Sequence, residues 1–459
     1  MKTLFGTDGI RGEVGKFPLT QSAVLTIARA LGSWLKQNSP EHTSALKMLI
    51  GKDTRESGDQ LELALAAGAQ LEGVQLLRAG ICPTPTVAYL TCALGADLGI
   101  AISASHNPGS DNGIKLFNRD GFKLPTEAEN QIEEIFSKLY SKDQQAKLPR
   151  RALEAKPLEA ELDCDPVYID FAKRSLNGAN LKGFTVVLDC AFGSFSRIAP
   201  RTFSELGATV VALNNQPDGK NINVNCGALF PQMMAEAVLR HRANLGIAFD
   251  GDGDRVILSD EKGNILDGDQ LLAILGSALH KQNRLTNKIV VSTQMSNIGL
   301  ELFLQNQGIR MLRTKVGDKY VLEEMLKQNA ILGGEQSGHI LILQRTTTGD
   351  GLITALELIN ILLQTKKTLS ALSEDWQRFP QELINIKVRE RKPFAEIPGF
   401  NDTLKQYQEQ LGKAGRIFVR YSGTEKLARV MVEGKDKTEV HQIAESLAQV
   451  IAVAVGLDK

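Results

Sequence analysis

Apolar residues come along this chain in short runs separated by amphipathic stretches, and the order of the runs repeats. Residues 45–51, Ala-Leu-Lys-Met-Leu-Ile-Gly, read as a buried strand. The spacing of apolar positions over 60–70 predicts a helix beyond the loop Lys52-Asp53-Thr54-Arg55. A strand at 73–77, a helix over 84–94 and a strand at 98–101 follow, and the chain then enters Ile102-Ser103-Ala104-Ser105-His106-Asn107-Pro108. The same order returns with strands at 184–189, 207–211 and 243–248 and helices over 196–206 and 231–242. Ala243-Asn244-Leu245-Gly246-Ile247-Ala248 nearly copies Ala96-Asp97-Leu98-Gly99-Ile100-Ala101, and it leads into Phe249-Asp250-Gly251-Asp252-Gly253-Asp254-Arg255. A third pass has strands at 288–292 and 308–312, a helix over 320–328, and the run Ile331-Leu332-Gly333-Gly334-Glu335-Gln336-Ser337-Gly338-His339.

Three passes of strand, helix, strand, helix, strand and loop predict three similar α/β domains, each with a mixed, mostly parallel sheet. Beyond about residue 372 the pattern changes to alternating strands at 383–388, 416–420 and 428–432, closed by a helix over 437–455. The expected fold class is α/β, with domains over 1–155, 156–257 and 258–372 and a smaller C-terminal α+β domain over 373–459, set around one central cleft. Residues 138–161, rich in Lys, Gln and Glu, read as a helix end and an interdomain connection.

Ligands bind outside the carboxyl ends of strands in such sheets. The loops at 103–108, 250–255 and 334–339 occupy equivalent places and are expected to face one cleft. In the second loop Asp250, Asp252 and Asp254 alternate with glycines, so the backbone can bend and aim three carboxylates at one point. Hard oxygen ligands of this kind suit Mg2+, and three crowded acids repel one another without a cation. An ordinary Asp-Gly turn is the plain alternative, and an aspartate-nucleophile phosphatase beginning at Asp250 is a chemical one. Gly253 followed by a third acid departs from the phosphatase pattern.

Ser105 beside a metal site makes sense as a phosphate carrier, because a phosphoserine brings about −1.5 to −2 charge that a cation and basic residues offset. Lys115, after the turn Asn112-Gly113-Ile114, is placed to supply that charge or to move a proton, although a lone lysine there is more commonly solvated surface. Adjacent side chains seldom hydrogen-bond productively, and no acid is placed to orient His106, so a Ser–His hydrolase is rejected. Glu335, Ser337 and His339 offer donors and acceptors suited to a polyol. Arg420-Tyr421-Ser422-Gly423-Thr424, with Arg429 shortly after, supplies a guanidinium, hydroxyls and a glycine for a phosphate that is held and not transferred.

Composition narrows these possibilities. A chain of 459 residues suits three or four domains at roughly 100–200 residues each. Its 42% apolar content argues against disorder, and 53 Lys+Arg against 53 Asp+Glu excludes a broad basic face for nucleic acid. The five cysteines are widely spaced with no Cys-x-x-Cys pair, which fits a reducing cytoplasm. No apolar signal core precedes Gly6-Thr7-Asp8-Gly9 and no apolar run approaches ~18 residues, so neither export nor membrane insertion is expected.

Assembled in order, Phe5-Gly6-Thr7-Asp8-Gly9-Ile10-Arg11-Gly12, the Ser105 loop, the run 250–255, the run 334–339 and Arg420-Tyr421-Ser422-Gly423-Thr424-Glu425 resemble the α-D-phosphohexomutase superfamily over essentially the whole length. The resemblance implies four domains and a phosphoserine at Ser105. It implies one Mg2+ held by Asp250, Asp252 and Asp254 with the phosphate on Ser105. By the same carry-over Lys115 and His339 are acid/base candidates, and Arg11 and Arg255 are basic residues of the active site. Glu335 and Ser337 would hold sugar hydroxyls, and Arg420, Ser422, Gly423, Thr424 and Arg429 the non-reacting phosphate. Gln336 and Tyr421 resemble the branch that uses glucosamine more than the glucose and mannose branches. The implied reaction interconverts glucosamine 6-phosphate and glucosamine 1-phosphate through a bisphosphate, on the way to UDP-N-acetylglucosamine and cell-wall polymers. A phosphosugar is the implied partner, with no nucleic acid or membrane, and a homodimer is allowed. Lys426 stands where the family usually has proline, which implies a less rigid, more positive phosphate loop. A non-catalytic phosphosugar-binding protein is the rival from another class; it has no need of Ser105, the three aspartates and Lys115 together.

Overall fold

The computed structural model describes residues 4–6, 8–38, 45–146, 160–422 and 426–457. The expected domain boundary at 155/156, and most of the connection read at 138–161, lie outside the described residues. The chain divides into two compact units, residues 1–294 with 312–373 and residues 295–311 with 374–459.

The first unit carries two sheets and most of a third. The first is built from β1 (Ile10–Glu13), β2 (Lys47–Lys52), β3 (Gln75–Ile81), β4 (Leu98–Ile102) and β5 (Asp111–Asn118), in the order β1-β5-β4-β2-β3. Pairings β2–β3 and β2–β4 are parallel, whereas β4–β5 and β1–β5 are antiparallel. Every residue of β4 is buried, as a strand covered by helices on both faces must be, which is why it reads as an unbroken apolar run. The core beneath it packs Met48, Ile50, Leu98 and Ile100 against Ile27 and Leu31 of the helix Gln21–Asn38 and Leu61 and Leu65 of the helix Gly58–Leu71.

The second sheet repeats the plan. It comprises β6 (Thr185–Asp189), β7 (Thr209–Leu213), β8 (Leu245–Phe249), β9 (Val256–Ser259) and β10 (Ile265–Leu266), in the order β10-β9-β8-β6-β7. Again the inner pairings β6–β7 and β6–β8 are parallel and the outer ones antiparallel. The third sheet is shorter: β11 (Ile289–Thr293), β12 (Arg310–Thr314), β13 (Leu332–Gly334) and β14 (Ile340–Ile342), in the order β12-β11-β13-β14. The sheets are mixed as the repeat implies. The antiparallel members β1, β5, β9, β10 and β14 are the ones that periodicity did not single out.

One of those members corrects a reading. Lys115 does not follow a turn into solvent; it sits inside β5, opposite Ala101 of β4, and is 1% exposed. The strand escaped notice because its buried residues include Asn112 and Lys115, which break the apolar alternation of a half-buried strand.

In the second unit β15 (Gln381–Lys387), β16 (Arg416–Tyr421) and β17 (Leu427–Glu433) form an antiparallel sheet in the order β15-β17-β16. The helix Lys437–Val455 is capped by the Asp436 carboxylate, which accepts from the Glu439 amide. It buries Val440, Ile443, Leu447 and Ile451 in the core of this unit. Asn297, at the start of the helix Ile298–Asn306, donates to the Phe379 carbonyl at 3.0 Å and so ties residues 295–311 to this unit.

Candidate active site

β4 ends at Ile102, and the backbone then turns so sharply that Ser105 adopts φ +56°, the left-handed region that side-chain-bearing residues avoid. Such a conformation costs about 1–3 kcal/mol and persists only where the surroundings fix it. Here they do. The Ser103 hydroxyl accepts the Ser105 amide at 2.9 Å and donates to Asp53 Oδ2 at 2.5 Å. The Ser105 carbonyl accepts from Arg55 Nη2 at 3.0 Å and from Asn223 Nδ2 at 2.9 Å. The hydroxyl that results is fully buried and donates to Asp250 Oδ2 at 2.6 Å, across 145 residues of sequence. Gly251 is required at this junction, since a Cβ there would lie 2.8 Å from the Ser105 carbonyl oxygen.

The turn also changes the expectation for His106. Its Nδ1 lies 3.3 Å from Ser105 Oγ, because the left-handed residue brings the two adjacent side chains to the same side. Burial, then Arg255 and Arg11, push the His106 pKa down to about 4.

Asp250, Asp252 and Asp254 follow β8, and one carboxylate oxygen from each lies within 4.8 Å of the others. All three are buried. Asp252 is fixed by Thr84, whose hydroxyl donates to Oδ2 at 2.6 Å and whose amide donates to the Asp252 carbonyl at 2.9 Å. Asp250 Oδ1 accepts the amides of Gly253 and Arg255, each at 3.1 Å. Asp252 Oδ1 and Asp254 Oδ1 are buried without a hydrogen-bond partner among the described residues. Two buried carboxylate oxygens left over in a three-carboxylate cluster are what an oxygen-preferring divalent cation satisfies, so the residues fit a metal.

Lys115 supplies the positive charge in this structure. Its ammonium lies 2.7 Å from both Asp252 Oδ2 and Asp254 Oδ2, and 3.5 Å from Asp8 Oδ2. Burial disfavours the ammonium, but Asp252, Asp254 and Asp8 outweigh it and hold the Lys115 pKa well above the ordinary lysine value. The counterpart is Asp254: burial pushes its carboxyl up, yet Lys115 and then His339 hold it well below the usual range. Asp250 goes the other way, raised by burial and by the charges of Asp254 and Asp252.

The third loop closes the group. His339 is buried, with Nδ1 at 3.7 Å from Asp254 Oδ2 and Nε2 at 3.6 Å from Asp318 Oδ2. Arg255 Nε lies 3.8 Å from Asp254 Oδ1. Arg11 pairs with Asp8 and reaches the Ala104 carbonyl at 3.4 Å. These basic residues border a cavity of about 460 Å3, lined also by Glu335, Val316 and Gly317. Glu335 Oε1 accepts the Gly317 amide at 3.0 Å, whereas Ser337 is exposed on the same loop. The structure therefore brings together Ser105, Lys115, the three aspartates, Arg11, Arg255, Glu335 and His339.

In the second unit Arg420 and Arg429 face each other across β16 and β17 and are half-buried. Burial and the charge of Arg429 both lower the Arg420 pKa. Ser422 is buried beyond the end of β16, its amide donating to the Leu427 carbonyl at 2.8 Å. Gly423 and Thr424 lie outside the described residues. Tyr421 stacks on Phe394, ring centroids 4.4 Å apart, and donates to the Lys392 carbonyl at 2.5 Å.

Several residues at the site had no role in the sequence reading. Lys123 bridges Asp8 and Asp318, and Asp8 itself joins Arg11, Lys123 and Lys115. Burial pushes the Asp8 carboxyl up, but Lys115, Lys123 and Arg11 hold it well below its usual range. Asp8 sat inside a quoted motif, where its charge beside two glycines was a usable signal. Lys123 and Asp318 are 195 residues apart, and nothing local marks them.

Four family models match the chain in sequence: phosphoglucomutase/phosphomannomutase α/β/α domain I over 2–143, domain II over 166–263, domain III over 267–379 and the C-terminal domain over 383–450. A phosphoglucosamine mutase of Syntrophus aciditrophicus is 46% identical over 457 residues, covering 99% of this chain and 100% of the relative. One of Bdellovibrio bacteriovorus is 45% identical over 447 residues, covering 97% of each. Among solved structures, a phosphoglucomutase/phosphomannomutase family protein of Burkholderia thailandensis superposes with TM-score 0.78 at 22% identity, covering 100% of both chains. An Aspergillus fumigatus N-acetylphosphoglucosamine mutase, solved with GlcNAc-6P and magnesium, gives TM-score 0.64 at 18% identity over 98% of this chain and 96% of that one.

Proposed function

Because the chain belongs to the phosphoglucomutase/phosphomannomutase family, matched by models of all four of its domains, we propose that it interconverts glucosamine 6-phosphate and glucosamine 1-phosphate, with Ser105 as the phosphate carrier. The observation that carries the reading is the Ser105 hydroxyl, held in a left-handed turn 2.6 Å from Asp250 at a buried three-aspartate cluster. The glucosamine preference rests on relatives of that name at 44–46% identity over nearly the full length, together with Gln336 and Tyr421 in this chain.

In the first half-reaction the phosphorus–oxygen bond to Ser105 breaks as the free sugar hydroxyl forms its own bond to phosphorus. The hydroxyl proton passes to a basic group of the site, and the product is a hexose bisphosphate. In the second half the other phosphate returns to Ser105 and the proton is given back. Asp250, Asp252 and Asp254 are the residues to hold Mg2+, and the ion, when bound, neutralises charge on the transferring phosphoryl group. Lys115 and His339 are the proton donors and acceptors, and Arg11 and Arg255 offset phosphate charge at the cavity. Glu335 and Ser337 hold sugar hydroxyls, and Arg420, Ser422, Gly423, Thr424 and Arg429 hold the phosphate that does not react. This reading keeps the four domains at 1–155, 156–257, 258–372 and 373–459.

The test follows the phosphorus NMR spectrum of phosphorylated protein with magnesium and glucosamine 6-phosphate, glucose 6-phosphate or mannose 6-phosphate. Glucosamine 6-phosphate is expected to convert fastest. Faster conversion of another hexose would overturn the preference, and no conversion of any would overturn the mutase reading.

A further inference from the structure

Arg55 touches neither the cavity nor the aspartate cluster, yet its guanidinium spends all five N–H groups on the Ser105 loop and its support. Nε donates to Asp53 Oδ2 at 2.9 Å. Nη2 donates to the carbonyls of Ser105 at 3.0 Å and Asn107 at 2.9 Å. Nη1 donates to the carbonyls of Asp111, at 3.0 Å, and Pro108. The side chains of Arg55 and Asp53 are 0% exposed. Asp53 completes the frame: it accepts the Arg55 amide at 3.0 Å and the Ser103 hydroxyl at 2.5 Å, and that hydroxyl accepts the Ser105 amide.

We infer that Arg55, oriented by Asp53, is the positioning residue that fixes Ser105 for phosphoryl transfer. Drawing the Ser105 carbonyl inward toward Arg55 holds the residue at φ +56° and directs its hydroxyl at Asp250. Four carbonyls converging on one point would repel one another without a cation at their centre. A guanidinium is the side chain whose planar fork serves four acceptors and a carboxylate at once; a lysine offers three donors and no plane. Asn223 adds a second donor to the Ser105 carbonyl, so the loop is held from the second sheet's connections as well. Arg55, Asp53 and Asn223 line no part of the cavity, and Arg55 acts through the place it gives Ser105.

The inference rests on Ser105 as the phosphate carrier, and its test separates the two. In Arg55→Lys the turnover number for glucosamine 6-phosphate is expected to fall about 100-fold, the loss that a displacement of about 1 Å brings, with KM within about threefold of wild type. A crystal structure of the variant should show Ser105 out of the left-handed region and its hydroxyl off Asp250. Asn223→Ala, which removes one donor and leaves the guanidinium, should lower the turnover number about 3- to 10-fold with KM unchanged, and it decides the matter where Arg55→Lys does not fold. Unchanged Ser105 geometry in the variant crystal, or a turnover number kept while KM rises, would overturn the inference. Wild-type protein that converts no sugar would instead overturn the phosphate-carrier reading, and the variant crystal would still report on the clamp.

Discussion

The Ser105 loop and the Arg420 loop are the two phosphate sites of the proposed function, and they are built in opposite ways. Around Ser105 the backbone carbonyls of Ser105, Asn107, Pro108 and Asp111 accept from Arg55, the residue is buried, and the strained turn is held from Asp53, Arg55, Ser103 and Asn223. At the other site two arginines of like charge face each other across neighbouring strands, half-buried, and burial together with the Arg429 charge lowers the Arg420 pKa. The first arrangement fixes a group before substrate arrives. On the proposed function a phosphate that comes and goes with the substrate would offset the repulsion between the arginines of the second. A covalent carrier has to be preorganised, and a reversible grip gains from like charges that a bound anion offsets.

The largest effect should come from removing the fixed group. Ser105→Ala leaves the aspartates and Lys115 in place but deletes the carrier, and conversion should fall at least about 10³-fold. Activity within tenfold of wild type would mean that the over-determined turn serves packing alone. Next is Asp254→Asn, which removes the carboxylate shared by Lys115 and His339. Conversion should drop about 10²-fold, and Mn2+ binding followed by electron paramagnetic resonance should weaken in parallel. Unaltered Mn2+ affinity would remove the metal assignment from the cluster.

Arg420→Ala probes the other half of the comparison. Charge-assisted hydrogen bonds contribute about 1.5–3 kcal/mol each, so kcat/KM should fall about 10- to 100-fold, mostly through KM. Because the substitution relieves Arg429, the unfolding midpoint should stay level or rise. A lower midpoint with unchanged kcat/KM would make the pair structural and break the contrast.

The two sites also differ in how far the chain declared them. The Ser105 turn and the three aspartates were legible because each follows an apolar strand directly and is written in small residues, glycine above all. The repeat also puts their loops at equivalent strand ends. Lys115 was found but misplaced, since β5 hides its strand pattern behind buried Asn112 and Lys115. Lys123 and Asp318 were not found as site residues because they pair across 195 residues, and Arg55 because the loop carbonyls it serves lie about 50 residues on; Asp8, beside its partner Arg11 in the first motif, was overlooked despite a local signal. The helix Gly351–Thr365 was missed for a different reason: it is buried on nearly every face, so it has no amphipathic period to read.

The smallest effect on activity, and the cleanest on stability, concerns a buried acid of the first unit that has no cation beside it. Asp350 caps the helix Gly351–Thr365 by accepting the Ile353 amide at 2.9 Å, and it accepts the Tyr168 hydroxyl at 2.7 Å. Burial raises its pKa to about 6, against which the cap and the tyrosine only partly work. Asp254, equally buried but beside Lys115, is lowered instead. A raised acid binds its proton more tightly in the folded state, so its contribution is fully present below pH 3.8 and is lost as pH rises through about 6. The loss amounts to about 3 kcal/mol. Asp350→Asn keeps an oxygen for the Ile353 amide, turns its NH2 to donate to the Tyr168 hydroxyl oxygen and carries no charge, so its stability relative to wild type should be near zero at pH 4 and grow to several degrees in unfolding midpoint by pH 7, with conversion unchanged. A difference independent of pH would show that Asp350 is ionised without penalty, and that burial alone does not separate it from the lysine-paired aspartates of the active site.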